Sequence, residues 1–273
     1  MLIRTDDQNY IGIANSIRQL NGKSDLYTPA QMRDELEALY PSRGIIYESF
    51  DENGDLLSAT VYGDTVGSLA YNDKMTTVTF ADNVTTVSSN AFRQCTSLNL
   101  ATLPETIKSI GVYAFENCKG VTISKLPSSL ETLSGSAFYG CANIPSMKLN
   151  DGLKSIGSYP FVGCPNVTIT EIPDSVEYLY VEAFCSTKTA SSLKLPKNLK
   201  YLGPYVFAFN STLTSVTFQC VPTEHFDKSA FSSRNGSTSA PPIKHIYVPW
   251  GQGEVDGAPW GAKSATVHYN TAV

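Results

Sequence analysis

Four cysteines share one phase of the chain: Cys95, Cys118, Cys141 and Cys164 recur at a constant interval of twenty-three places, each three residues after a phenylalanine. A thiol placed this way could bridge, hold a metal or attack a substrate, and each chemistry makes its own demand on spacing. Zinc takes ligands that converge tetrahedrally, commonly as C-x2-4-C pairs, and this ladder contains no such pair. A nucleophile needs an adjacent base and a group that orients it. The histidines His225, His245 and His268 all lie outside the cysteine-bearing stretch. Disulfides between copies stay open on distance, since strands stacked at about 4.8 Å fall inside the bridging range of about 4.4–6.8 Å. Side chains on such strands, however, run alongside one another. The same phase carries Thr187 and Asn210 in the next two copies, which suits a small side chain facing loop backbone. The leading reading is a structural ladder of buried, reduced, inert thiols, because free cysteine behaves as a small hydrophobe. Cys185 and Cys220 fall outside the ladder and are read as structural too.

Other chemistry is sparse. No G-x-S-x-G, H-E-x-x-H or P-loop motif is present, so no enzyme, metal or cofactor is expected. Lys125, Lys148, Glu171 and Lys194 share one phase and form a stripe of mixed charge, either a binding face or a solvated one. Near the end, Tyr247, Trp250 and Trp260 have the bulk to cover an open terminal rung or to form an aromatic platform for a sugar or a partner. The acidic run "DENGD" at 51–55 lacks the ligand order and distal glutamate of a calcium loop and reads as a turn.

These residues are positioned by a repeat. Phenylalanines at 92, 115, 138, 161, 184 and 207 keep the same interval as the cysteines, and Phe231 follows one place late. Phe80, Leu103, Leu126, Leu149, Ile172, Leu195 and Phe218 hold a second register of the same period. One such unit cannot bury its own apolar side, so copies must stack into a solenoid. Within a copy "GVTIS" alternates at period 2 and "SLETL" places apolar residues at a tight curve. Both are too short for an ordinary helix, which predicts short strands joined by turns. Pro104, Pro127, Pro173 and Pro196 mark corners, where a missing N–H is tolerable.

The ends differ from the repeat. Apolar residues at helical spacing from Tyr10 to Leu20, and Thr28-Pro29-Ala30-Gln31 as cap, proline and capping-box partner, predict a helical hairpin over 1–41 that docks or caps. Residues 42–76 hold a predicted β-hairpin turning at Asn53-Gly54 and serve as an N-terminal cap. The repeats occupy 77–231, and 232–273 form a polar loop and a C-terminal β cap. A formal charge of -5 offers no basic stripe for nucleic acid, and no apolar run is long enough to span a bilayer. No secretory signal stands at the amino terminus, which lacks a basic segment followed by an apolar one.

The unit "LPxxLxxIGxxAFxxC", with Ala91-Phe92, Ala114-Phe115 and Ala137-Phe138 in phase, resembles the BspA-like, or Treponema pallidum type, leucine-rich repeat family. The resemblance implies a right-handed curved solenoid, a cell-surface setting, adhesion or protein binding, and no catalysis by the repeat. Departures are Thr187 and Asn210 at the cysteine phase and Pro160 at the alanine phase. The flanks "IANSIRQLNGKSDLYTPAQM", "RGIIYESFDENGDLLSATVYG" and "IYVPWGQGEVDGAPWGAKSATVHYN" are similar to segments of leucine-rich proteins in prophage and tail-gene neighbourhoods of gut Firmicutes. That similarity implies a helical hairpin attached to a virion or surface complex, and a solenoid facing a protein or a host or bacterial surface ligand. A passive structural spacer is the alternative, with a hydrolase of unrecognised site behind it.

Overall fold

A computed structural model describes residues 44–233 and 240–271. The predicted helical hairpin and most of the polar loop after Phe231 lie outside these residues. Strands β1 (Gly44–Phe50) and β2 (Leu56–Tyr62) form the antiparallel hairpin expected at Asn53-Gly54. Its turn is closed by the Asp51 carboxylate, whose Oδ1 accepts from the backbone N–H of Asn53 and Asp55 at 2.9 Å each. The acidic run therefore spends its first carboxylate on its own backbone, as an Asx turn does.

Thereafter the chain coils. Two-residue strands β3 (Thr65–Val66), β5 (Thr86–Val87), β6 (Ser109–Ile110), β7 (Thr132–Leu133), β8 (Ser155–Ile156), β10 (Tyr178–Leu179), β13 (Tyr201–Leu202) and β15 (His225–Phe226) make one eight-stranded sheet. All its pairings are parallel and in register, so each coil adds one rung. The first residue of each rung faces outward, and in β5 to β13 the second is buried. That face-by-face alternation is the period-2 rule at its shortest length.

A second side of the coil behaves differently. Strand β4 (Thr77–Phe80) pairs with β2, so the hairpin covers the N-terminal end of the stack. Strands β9 (Thr168–Ile169) and β11 (Lys188–Thr189) pair only with each other. Then β12 (Ser192–Lys194), β14 (Ser215–Thr217), β16 (His245–Tyr247) and β17 (Thr266–His268) form a four-stranded parallel sheet. The continuous ladder thus runs through the step that the sequence places at a curve, as in "SLETL". The alternating "GVTIS" stretch makes only an isolated bridge, Leu100 to Val121. Pro145 supplies a reason. Thr122 donates its N–H to Leu100 O at 2.8 Å, and Pro145, one period later, has no N–H to repeat that bond.

The repeat phenylalanines fill the centre, fully buried. Phe92, Phe115, Phe138 and Phe161 stack with centroids 5.1, 5.3 and 6.1 Å apart, and Phe184, Phe207 and Phe231 stack at 5.5 and 6.0 Å. Their turn is stitched from coil to coil by the backbone: Phe92 N–H donates to Ala114 O at 2.7 Å and Phe115 N–H to Ala137 O at 2.8 Å. Pro160 fits the alanine phase because the turn needs its carbonyl there, which accepts from Phe138 N–H at 3.0 Å. The glycines at Gly111 and Gly157 answer to close approach. A Cβ on either would sit 2.4 Å from the backbone nitrogen of Ser89 or Gly135 in the preceding coil.

Candidate binding face

The strand register gathers most of the predicted surface residues into one column. Lys125 and Lys148 are bridged neighbours, and Lys194, Thr217, Tyr247 and His268 follow one another in register through β12, β14, β16 and β17. Glu171 stands at the same phase between Lys148 and Lys194. All four charged residues of the stripe are exposed, and Tyr247 and His268 are half-buried. A groove of about 560 Å³ opens beside Glu171 and Lys194, lined also by Asp151, Asp174, Ser192 and Gln219.

The electrostatics along this column change character. At one end Lys125 Nζ lies 2.9 Å from Glu105 Oε1. The Ser128 N–H and the Lys125 ammonium together hold the Glu105 carboxyl down at about 2. In the middle Asp174 accepts from Lys197 N–H at 3.2 Å and from Gln219 Nε2 at 3.1 Å, and pairs with Lys197 Nζ at 2.7 Å. These donors lower its pKa. At the far end the rings of Tyr247 and His268 stack at 4.5 Å, and His245 Nδ1 lies 3.1 Å from His268 Nε2. The face therefore grades from lysine through a mixed groove to an aromatic and imidazole edge.

The two tryptophans named with Tyr247 are placed elsewhere. Trp250 is 5% exposed and Trp260 is fully buried, packed on Phe218 and, for Trp260, stacked 4.8 Å from Phe226. They close the last coil and offer no ring face to a ligand. Their burial separates them from Tyr247, a distinction that sequence bulk alone does not make.

The cysteine ladder lies inside. Cys95, Cys118, Cys141 and Cys164 are buried and free, and each Sγ donates to a carbonyl of the preceding coil: Leu69 O at 3.1 Å, Phe92 O at 2.8 Å, Phe115 O at 2.9 Å and Phe138 O at 3.0 Å. Burial pushes the Cys95 thiol to about 11 and that of Cys164 to about 12, and raises Cys118 and Cys141 further. A thiol so desolvated is a poor nucleophile and metal ligand. In the next two coils the same place is held by other hydrogen-bonding groups. Thr187 Oγ1 donates to Phe184 O at 2.8 Å, and Asn210 Nδ2 to Thr187 O at 2.8 Å. Among the described residues no group of three or more His, Cys, Asp or Glu side chains is arranged to hold a metal ion.

Surface features that sequence reasoning passed over stand on the eight-stranded side. Lys108, Glu131, Lys154, Glu177 and Lys200 recur at the repeat period, immediately before the strands. Tyr178, Tyr180, Tyr201 and His225 cluster there too, with Tyr201 5.1 Å from Tyr180 and 4.8 Å from His225. Reading the period for charge as well as for apolar residues would have found the first row.

The BspA type leucine rich repeat region matches this chain in six copies, over residues 67–144 and 120–238. The chain belongs to that family. Among solved structures it is similar to a leucine rich cell surface protein from Faecalibacterium prausnitzii A2-165, at 20% identity, 83% of this chain, 71% of that one and a TM-score of 0.53. It is also similar to a leucine-rich repeat protein from Bacteroides ovatus ATCC 8483, at 18% identity over 78% of this chain, with a TM-score of 0.47. The T. pallidum leucine rich repeat protein matches at 20% identity over 81% of this chain and 78% of that one, with a TM-score of 0.36. This chain spans 61% of the length of the Bacteroides ovatus protein. At such identities the likeness concerns the fold. No curated protein matches the chain. Among the described residues no helix is long and apolar enough to cross a membrane.

Proposed function

We propose that this chain is a non-enzymatic protein-binding or adhesion module of a cell-surface or virion-borne assembly, engaging its ligand through the face from Lys125 to His268. The observation that carries the reading is the register that lines up Lys125 to Lys194 with Tyr247 and His268 on one side of a rigid stack. Solenoids supply extended surfaces of this kind while their buried positions are occupied by packing. Lysines with a tyrosine edge suit a protein or surface ligand carrying carboxylates, since aromatic anchors give contact area and charge sets orientation. The buried, carbonyl-bonded thiols support the absence of catalysis by the repeat. The family match and the printed description of the Faecalibacterium relative as a cell surface protein support the setting.

Finer parts of the proposal rest on the sequence. Residues 1–41 serve as the docking module, 42–76 and 232–273 as caps, and 77–231 as the presenting stack. Attachment to a phage tail follows from the flanks' resemblance, and tail genes beside this one would support it. The direct test is binding of fluorescently labelled chain to bacterial and host cells. Saturable binding that a Lys125→Ala/Lys148→Ala/Lys194→Ala/Tyr247→Ala variant loses, with its circular dichroism unchanged, supports the reading. No saturable binding by the folded chain would favour a passive spacer, and unchanged binding by the variant would remove this face.

A further inference from the structure

The eight-stranded side turns outward two rows that the binding face does not use. The row just before the strands alternates in sign: Lys108, Glu131, Lys154, Glu177, Lys200 and, one place beyond the period, Glu224. All six side chains are exposed or half-buried. Neighbours along the row pair within the chain, with Glu177 carboxylate oxygens 2.6 Å from Lys200 Nζ and 4.0 Å from Lys154 Nζ. The adjacent row is sorted by size. Ser109, Thr132 and Ser155 come first, then Tyr178, Tyr201 and His225, in unbroken register. The larger half is held in place: Tyr178 OH donates to Glu224 Oε1 at 3.0 Å, Lys200 Nζ lies 5.8 Å from the Tyr178 ring centre, and Tyr201 stacks on His225.

Both rows have the same symmetry. A two-fold axis passing between the coils of Lys154 and Glu177 carries Lys154 onto Glu177, Glu131 onto Lys200 and Lys108 onto Glu224. Every lysine of one copy then meets a glutamate of the other. The same axis carries Ser155 onto Tyr178, Thr132 onto Tyr201 and Ser109 onto His225, so the aromatic ridge of each copy meets the hollow of small hydroxyl side chains on the other. Coil spacing is common to both copies, so the match persists along the row. A slip of one coil sets like charges opposite, which is repulsive and fixes the register. The row sums to zero charge and so adds no net repulsion.

We propose that this side is the interface of an antiparallel, two-fold homodimer. An isologous contact requires a patch complementary to itself, and the two rows meet that requirement about one axis by two unrelated properties, charge and size. Exposed ion pairs contribute little each, so the aromatic row supplies contact area while the charges select alignment. The binding face stays outside the contact, and the dimer presents two copies of it, which raises avidity for a surface ligand. The dimer does not depend on which ligand that face takes.

Sedimentation velocity of the full chain over a concentration series tests it, with circular dichroism to confirm that each variant folds. The wild type is expected to dimerise, more weakly at high salt. Lys154→Glu alone and Glu177→Lys alone each place like charges together twice across the axis and should be monomeric. Mixed, they restore opposite charges at all six positions and should form a heterodimer. Should either fail to fold, Glu131→Lys with Lys200→Glu is an equivalent pair. A wild type that stays monomeric throughout, single variants that dimerise as the wild type does, or a mixture that stays monomeric would each overturn the proposal.

Discussion

Phe138→Ala probes the claim that the coils hold one another up. Phe138 is fully buried between Phe115, at 5.3 Å, and Phe161, at 6.1 Å, with planes within 5° of parallel to both. Truncating a buried phenylalanine costs about 3–5 kcal/mol, and loss of two stacked contacts brings the expected total to about 4–6 kcal/mol. A domain's whole stability is about 5–15 kcal/mol. In a stack stabilised by nearest-neighbour interfaces, a loss of that size in a middle coil uncouples the coils on either side. Urea unfolding followed by far-ultraviolet circular dichroism should therefore split into two transitions, each with a smaller slope than the wild type, because each exposes less surface. Phe231→Ala, beneath the Trp260 cap, should lower the midpoint without splitting it. A single Phe138→Ala transition of wild-type slope, displaced by less than about 2 kcal/mol, would refute nearest-neighbour coupling and the cavity argument together.

Cys118→Ser should destabilise the fold by about 1–2 kcal/mol, since a smaller, more strongly hydrated group replaces a buried thiol. Ligand binding should be unchanged; lost affinity in a folded variant would contradict the inert reading. Native chain treated with a thiol-specific chromogenic reagent at pH 8 should leave the four ladder cysteines unmodified. A thiol held at about 11, as for Cys95, keeps only about one part in a thousand as thiolate at that pH. The sign follows from burial: rising pH must pass well beyond the ordinary thiol range before these groups ionise. Half-buried Cys220 should react ahead of them, and rapid labelling of Cys141 in the folded protein would argue against its burial.

The sequence by itself determined the period, and with it the stack. Phe92 to Phe207 and Cys95 to Cys164 hold phase because each coil must offer the next the same shape, and that demand is written in residue types at fixed intervals. The Lys125 to Lys194 stripe was legible for the same reason. Phase counting fails where the interval is broken. Tyr247 follows Thr217 by more than one period yet pairs beside it in β16 and β14; only backbone hydrogen bonding across the inserted loop brings it into the column. Trp250 and Trp260 carry the same ambiguity of cap or platform as Tyr247 until the last coil turns them onto Phe218 and Phe226. The long ladder's place at Ser155-Ile156 and its equivalents, instead of at the alternating segment, was likewise a tertiary decision. A strand two residues long has no periodicity to read, and it exists because the coil above and the coil below hydrogen-bond to it.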